Sequence, residues 1–252
     1  MTTDALPMNR RIDVDSSLIT LMPKDFEPRR IAWGQVWQIG TAHYWVAATQ
    51  DRLAHSTNPG GPGRHQLGAN LIEEVAACLL GGYGMPYEVG LAAFRAVRDA
   101  GLLQRTSTPE EIELVLRRPL QVRQRTVHYR FPAQRAGYLA HALDELMHRP
   151  APATGRELRA WLLRMRGIGP KTASWVTRNH LDSDQVAIID VHIHRAGVRA
   201  GVFDSSWTVS RDYARLEAHF LAWAEAGDVR AADLDAAIWA ESAYLARRSA
   251  LR

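Results

Sequence analysis

The spacing of apolar residues along this chain predicts helices over most of its length. Leu71, Val75 and Leu79 form an apolar stripe that stops before Gly81, and similar stripes recur toward the C-terminal end. Only residues 31–39 alternate loosely in the manner of a strand. We therefore predict an all-α fold, with at most a few short strands near the N-terminus.

Capping signals mark where several of these helices begin. Thr41 precedes a helix predicted to reach about Leu53, and Thr108 precedes Pro109 and two acidic residues that face the helix dipole. Thr154 and Glu157 have the spacing of a capping box. Further helices are predicted from Pro86 to Gly101, from Pro132 onward, and at about 170–180, 191–200, 208–226 and 231–247.

Composition limits the classes of protein that the chain can represent. The 252 residues include 31 Lys and Arg, of which only Lys24 and Lys171 are lysines, and the sequence pI is about 9.5. This balance suits a polyanionic partner, although an arginine-rich surface from a GC-rich genome would account for it equally well. Cys78 is the only cysteine, which excludes an intramolecular disulfide, a cysteine-ligated zinc site and a four-cysteine iron–sulfur cluster.

Neither a secretory signal pattern nor an apolar run long enough to cross a membrane is present in the sequence, so we expect a cytoplasmic protein. The clearest loop is the Pro- and Gly-rich segment 58–63, which indicates a mobile segment or a junction between subdomains. Residues 1–30 are polar and irregular and suggest an extended arm.

Residues 157–179 have the pattern of a helix, a glycine turn and a second helix. The turn is Gly167-Ile168-Gly169, and Pro170 suits the first turn of the second helix. Free backbone amides at such a turn and helix N-terminus can hold a phosphate without reading the base sequence. A plain helical hairpin with a glycine stop is the structural alternative.

Lys171 follows this turn in a chain that carries nearly all its positive charge as arginine. An arginine stays protonated, whereas a lysine can attack as a neutral amine, which burial favours. Nineteen residues later, four apolar residues lead to Asp190, followed by Val191 and His192. Asp190 is expected to cap a helix, and such a cap would hold a catalytic carboxylate rigidly opposite Lys171.

Residues 157–200 resemble the signature region of the helix-hairpin-helix DNA glycosylase superfamily. The shared features are the amphipathic helix, the Gly-Ile-Gly turn, Lys171-Thr172-Ala173, and Asp190-Val191-His192 at the expected distance. The resemblance implies two helical subdomains flanking a DNA-binding cleft: residues 68–183, with the helix-hairpin-helix at about 154–180, and residues 1–67 with 184–252. Lys171 would reach the cleft from the first and Asp190 from the second.

The lysine places the resemblance in the branch that combines base excision with strand cleavage. Because the single cysteine excludes the iron–sulfur cluster of endonuclease III-like enzymes, the chain is most similar to 8-oxoguanine DNA glycosylase/AP lyases. Two features depart from that group: its base-pocket residues have no clear match, and the segment 81–86 lacks the expected Asn or Gln. Tyr83 could fill the vacated duplex position instead, or merely pack in its glycine turn.

The resemblance implies that Lys171 attacks C1′ of the damaged nucleotide while Asp190 stabilises the positive charge on the sugar. Double-stranded DNA is the expected partner of a monomeric protein, and this chemistry requires no metal or cofactor. A glycosylase acting on modified bases of foreign DNA, and a non-catalytic DNA-binding protein, are the alternatives. The residues expected to contact DNA are Gly167, Ile168, Gly169, Thr172, His192, Tyr83, Arg123, Arg125 and Arg130.

Two pairs of side chains, one on each of two predicted helices, invite a functional interpretation. His192 and His194 are two apart, so on a helix they point in different directions and do not form a metal site. Asp235 and Trp239 lie one turn apart on the last predicted helix and could line the base pocket. We expect core packing to be the principal role of Trp239.

Overall fold

The computed structural model describes residues 18–56, 66–82 and 84–249, with side chains through residue 242. In the described part of the chain, ten helices surround two small antiparallel strand pairs, which confirms the predicted all-α class. The helices are α1 Ala42–Ala54, α2 Leu71–Leu80, α3 Tyr87–Asp99, α4 Pro109–Leu116, α5 Pro132–His148, α6 Gly155–Leu162, α7 Pro170–Leu181, α8 Val191–Arg199, α9 Tyr213–Ala226 and α10 Ala231–Ser249. The glycine-rich loop 58–63, Tyr83 and residues 1–17 lie outside the described residues.

The capping signals are confirmed at the start of three helices. The side chains of Thr41, Thr108 and Thr154 accept hydrogen bonds from backbone amides in the first turns of α1, α4 and α6. Thr108 forms a complete capping box with Glu111. Because these signals act within one turn of helix, the local sequence is enough to predict them.

Two strand pairs complete the secondary structure. β1 (Leu18–Leu21) pairs with β2 (Arg29–Ala32), so the strand predicted within residues 31–39 occurs earlier in the sequence. β3 (Leu120–Val122) pairs with β4 (Arg125–Val127) across a tight turn, and the sequence analysis missed this ribbon. Each strand of the ribbon is only three residues long, which is too short for alternation to be recognised.

The start of α9 is a second correction. A helix was predicted from residue 208, but α9 begins at Tyr213. The backbone turns at Thr208, whose amide donates to the Asp212 carboxylate at 2.8 Å, while the amide of Asp212 donates to the Thr208 carbonyl oxygen at 2.8 Å. The bond from the Thr208 amide to the Asp212 side chain favours a turn over continued helix in the intervening residues.

Two hydrophobic clusters divide the described chain. One is built by residues between 75 and 176, on α2 to α7, and the other by residues between 21 and 46 and between 187 and 238. This division supports the two predicted subdomains, 68–183 and 1–67 with 184–252, whose boundaries stay a prediction. None of the helices in the described ranges has the length and hydropathy of a membrane-spanning segment.

Candidate active site and DNA-binding surface

The helix-hairpin-helix consists of α6, a glycine turn and α7. Met165 and Ile168 are buried and anchor the turn in the first hydrophobic cluster, and the Ile168 amide donates to the Met165 carbonyl oxygen at 3.2 Å. The side chain of Ile168 is therefore a structural anchor. Any contact of this residue with DNA is limited to its backbone.

The two glycines of the turn differ in whether the fold requires glycine at their positions. Gly167 has a φ of 83°, in the left-handed region, and a Cβ built on it would lie 2.2 Å from Cδ2 of Tyr138 on α5. Gly169 has a φ of −93° and a ψ of 176°, and a Cβ there would meet nothing within 4 Å. The fold thus requires glycine at position 167, whereas position 169 is free of steric demand from the protein itself.

The N-terminus of α7 is open toward the surface. Gly169 takes the cap position without a side-chain hydrogen bond from any described residue, and Pro170 begins the helix. Gly169, Pro170 and Lys171 are exposed, and Thr172 is half-buried. The first amides of a helix have no partners within the helix, so this terminus can accept an anion such as a phosphate.

Lys171 is exposed on the first turn of α7, with its Nζ 6.0 Å from the centre of the Trp175 ring. The protein by itself therefore does not bury this amine. A lysine at position N2 of an uncapped helix projects into the solvent beside the hairpin. Removal of water from the amine therefore requires a bound partner.

Asp190 caps α8, as predicted. Its Oδ1 accepts hydrogen bonds from the amides of His192 at 2.8 Å and Ile193 at 2.9 Å. The preceding residues 186–189 are buried outside any helix or strand, and the carboxylate is half-buried. The four apolar residues and the two cap bonds leave Asp190 little freedom of orientation.

Asp235 joins the surroundings of Lys171 and Asp190. Its buried carboxylate is paired with the guanidinium of Arg178 on α7. Burial raises the pKa of Asp235, the positive charge of Arg178 lowers it, and weaker effects come from the charges of Asp190 and Lys171. The two candidate catalytic residues are thus both within electrostatic reach of one buried carboxyl group, although they belong to different helices.

The structure locates the two residues predicted to line the base pocket. Asp235 is buried in an ion pair that joins α10 to α7, and its place in the pocket stays a prediction. Trp239 is 51% exposed, so its expected role in core packing is wrong. An aromatic ring one turn along α10 from Asp235 is available to a ligand.

The two histidines of α8 have separate environments. His192 is half-buried beside Asp190, whereas Nε2 of His194 lies 2.8 Å from the carbonyl oxygen of Trp207 and its ring packs against Phe203. Nowhere in residues 18–56, 66–82 and 84–249 do three His, Cys, Asp or Glu side chains group closely enough to hold a metal ion.

The three arginines proposed for DNA contact lie on and beside the β3–β4 ribbon, and all are exposed. Arg123 occupies the turn and pairs with Glu88 at 2.7 Å, while Arg130 lies over the Phe131 ring at 5.0 Å. From residue 114 to residue 143 the sequence contains six arginines and no Asp or Glu. The ribbon therefore belongs to a stretch of uniformly positive formal charge.

The ribbon and the hairpin are connected through α5. The Tyr129 hydroxyl donates to the carbonyl oxygen of Leu80 at 2.7 Å, next to the glycine segment 81–86, and α5 begins at Pro132. Tyr138 on the same helix packs under Gly167. A single helix thus links the arginine-rich ribbon to the glycine turn of the hairpin.

A groove of about 940 Å³ lies between α6 and α9, but neither Lys171 nor Asp190 lines it. It is therefore not the candidate active site. Its wall includes Glu217, a buried carboxylate that the sequence analysis did not single out. A glutamate in the middle of a helix gives no sequence signal of burial, because glutamate is ordinarily exposed.

The helical fold and the hairpin indicate the class of helix-hairpin-helix DNA glycosylases. The model of the Ogg-HhH family, described as 8-oxoguanine DNA glycosylase, matches residues 64–229. This match covers more than half of the chain, and the protein belongs to that family. It is accordingly a DNA-binding enzyme of base excision repair.

Solved structures of 8-oxoguanine DNA glycosylases share this fold. The Thermotoga maritima enzyme is 23% identical with a TM-score of 0.51, over 78% of this chain and 89% of that one. The Methanocaldococcus jannaschii enzyme is 22% identical with a TM-score of 0.53, over 79% and 91%. The glycosylase/lyase of M. jannaschii in complex with a 15mer DNA containing 8-oxoguanine is 22% identical with a TM-score of 0.50, over 78% and 88%.

Proposed function

We propose that this DNA glycosylase is bifunctional, excising 8-oxoguanine and then cleaving the strand through a Schiff base on Lys171. The observation that carries the proposal is that an exposed lysine begins α7 and a carboxylate caps α8, and that the charges of both act on the buried Asp235. The family match supports 8-oxoguanine as the substrate, and one structural neighbour, the glycosylase/lyase of M. jannaschii, supports the second step.

Base excision begins when the damaged nucleotide is flipped out of the duplex, at a cost of a few kcal/mol. The neutral amine of Lys171 attacks C1′, and the base leaves with the electron pair of the glycosidic bond and takes up a proton. Asp190 stabilises the positive charge that builds on the sugar, because its cap bonds hold it in place before the reaction. The flipped nucleotide excludes water from around the otherwise exposed amine.

Strand cleavage follows from the covalent adduct. Loss of the amine proton and opening of the sugar ring give an iminium ion between Lys171 and C1′. The iminium acidifies the C2′–H bond, and removal of that proton expels the 3′ phosphate from C3′ by β-elimination. Addition of water to the iminium carbon then releases the lysine. Each of these steps uses the lysine as nucleophile and electron sink, so neither a metal nor a cofactor is part of the proposal.

DNA binding is proposed to rest on the hairpin, with Gly167, Ile168, Gly169 and Thr172 offering backbone contacts to a phosphate. Arg123, Arg125 and Arg130 would extend this contact along the duplex, and His192 would contact a phosphate near Asp190. Contacts of this kind neutralise the backbone without reading base sequence.

Three residues are proposed to handle the flipped base and the gap that it leaves in the duplex. Trp239 offers an exposed ring one turn from Asp235, which suits stacking against a flipped base. Asp235 would act by orienting Arg178 beneath the pocket. Tyr83, outside the described residues, is proposed as the wedge that fills the vacated duplex position.

Borohydride trapping tests the covalent step. Duplexes carrying 8-oxoguanine, uracil, thymine glycol, methylated bases or hypermodified cytosines are incubated with the wild-type protein under borohydride, and adducts are separated by denaturing electrophoresis. We expect an adduct with 8-oxoguanine, and none with Lys171→Gln. Lys24→Gln is the matched control, because Lys24 is the only other lysine in the chain. An adduct that survives Lys171→Gln contradicts the assignment, and trapping only on hypermodified cytosines would indicate a foreign-DNA substrate.

A further inference from the structure

The segment that delivers Asp190 is buried without belonging to a sheet. Residues 186–189 carry no helix, strand or turn and are no more than 6% exposed, and neither strand pair of the described chain includes them. Buried backbone amides and carbonyls need hydrogen-bond partners, and a strand normally obtains them from its neighbours in a sheet. Here the partners come from another source.

Two side chains on one face of α9 supply them. The Tyr213 hydroxyl donates to the carbonyl oxygen of Ala187 at 2.9 Å and accepts from the amide of Ile189 at 3.1 Å. One turn later, Oε1 of Glu217 accepts from the amide of Ala187 at 2.9 Å. Three hydrogen bonds from α9 thus take the place of a neighbouring strand and set the register of the segment that ends at Asp190.

Glu217 also contacts the two helices of the hairpin. Its Oε1 accepts from the hydroxyl of Ser174, a fully buried residue three positions after Lys171 on α7, at 3.1 Å. Its Oε2 pairs with the guanidinium of Arg159 on α6. The Glu217 carboxylate is therefore a junction between α6, α7 and the segment that carries Asp190.

We propose that Glu217 is a positioning residue, which holds the Asp190 segment in register with the helix that presents Lys171. The proposal rests on the bifunctional mechanism proposed above, and it assigns a role to a residue that does not touch DNA or the reacting atoms. A carboxylate is suited to this junction because it accepts several hydrogen bonds at once, and a paired charge shortens and strengthens them.

The junction is distinct from ordinary core packing because of what it connects. Helix α7, which presents Lys171, packs into the first hydrophobic cluster, and the residues on either side of Asp190 pack into the second. An error of about 1 Å in the placement of one group relative to the other can cost about 100-fold in rate. Hydrogen bonds have defined directions. They therefore fix the position of Asp190 relative to Lys171 more closely than apolar contacts between the two clusters would.

Glu217→Gln and Tyr213→Phe test the proposal with the full-length protein. Two reactions are compared under single-turnover conditions at saturating DNA: excision from an 8-oxoguanine duplex, and β-elimination on a duplex with a preformed abasic site. Excision uses both Asp190 and Lys171, whereas elimination on an abasic site depends chiefly on Lys171. We expect excision to slow about 10- to 100-fold, with elimination reduced less than about threefold and the Kd for DNA unchanged.

Glu74→Gln is the matched control. Glu74 is another buried carboxylate, and it accepts from the amides of Leu67 and Gly68 and from Nδ2 of Asn179, all within 2.8 Å. None of these partners belongs to the Asp190 segment, so the loss of Glu74 should lower thermal stability while leaving the ratio of excision to elimination unchanged. Equal slowing of both reactions in Glu217→Gln, or the same altered ratio in Glu74→Gln, would overturn the proposal.

Amide hydrogen exchange gives a readout that does not depend on activity. Glu217→Gln and Tyr213→Phe should accelerate exchange in residues 186–190 more than in α2, because the segment loses partners that hold its backbone. Unaltered exchange in residues 186–190 would contradict the proposal that Glu217 and Tyr213 hold this segment. If the wild-type protein neither excised nor trapped any tested base, the bifunctional mechanism would fail while the exchange result still judged the role of Glu217.

Discussion

The two candidate catalytic residues are held in place by different kinds of structure. Lys171 sits on a hairpin formed by consecutive helices, with Gly167 seated on Tyr138 and Ile168 buried below the turn. Asp190 sits at the end of a lone buried segment whose backbone is bonded to Tyr213 and Glu217, 24 to 30 residues further along the chain. The hairpin thus has its own helical hydrogen bonds and gains one side-chain packing contact from α5, whereas the Asp190 segment depends on α9 for backbone hydrogen bonds.

This difference suggests which mutations will act locally and which will act at a distance. A hairpin whose shape is set by backbone dihedrals tolerates changes elsewhere in the chain. A segment that borrows its hydrogen bonds from another helix moves when that helix is altered. Substitutions far from the site should therefore slow the reaction more readily through a shift of Asp190 than through a shift of Lys171.

The largest expected effect comes from Asp190→Asn. Asparagine is as good a helix cap as aspartate, so α8 should keep its N-terminus while the negative charge is lost. We expect single-turnover excision to fall by about 10²–10³ with the DNA dissociation constant within a few fold of wild type. Asp190→Ala, which also removes the cap, should show the same rate loss plus a lower melting temperature. Normal excision with greatly weakened binding would show that Asp190 serves affinity.

Gly167→Ala tests the hairpin that carries Lys171. A non-glycine residue at a φ of 83° costs about 1–3 kcal/mol, and the added Cβ would clash with Tyr138. We expect a lower free energy of unfolding by chemical denaturation. The double variant with Tyr138→Ala should relieve the clash but keep the dihedral cost. Full stability in Gly167→Ala would mean that the turn relaxes to another conformation.

Gly169→Ala separates DNA contact from folding. The residue has ordinary dihedrals and open space around its Cα, so the substitution should leave the melting temperature unchanged. A methyl group at the proposed phosphate contact should weaken binding to damaged and undamaged duplexes alike, measured by fluorescence anisotropy. If undamaged DNA binds normally to this variant, the turn does not contact the phosphate backbone.

The smallest expected effect concerns the ribbon. Arg125→Gln should reduce the slope of log Kobs against log salt concentration by about one, since one phosphate contact is lost. Arg105→Gln is the control, because the Arg105 guanidinium is already neutralised by Glu111 through hydrogen bonds of 2.6 and 3.1 Å. Equal slopes for wild type and Arg125→Gln would place the ribbon outside the DNA footprint.

Several features were predictable because they depend on residues close together in sequence. The caps at Thr41, Thr108 and Asp190 each follow from one side chain and the amides of the next turn. The hairpin follows from two glycines, a proline and the amphipathic helix before them. The lysine and aspartate could be singled out because each is attached to one of these local signals.

Other features could not be read from local sequence. The β3–β4 ribbon is too short to show strand alternation, and the exposure of Trp239 depends on which face of α10 meets the second cluster. The necessity of Gly167 and the freedom of Gly169 became apparent only when Tyr138 was found beneath the turn.

The amino-acid sequence by itself determined the helices, their caps, the hairpin and the two chemically distinctive side chains, because each is specified within a few turns of chain. Only the tertiary structure decided that Arg178 pairs with Asp235 between the two clusters, and that Glu217 joins both hairpin helices to the Asp190 segment. The physical reason is burial: a charged residue becomes a partner for buried backbone and side-chain donors only when distant elements pack around it.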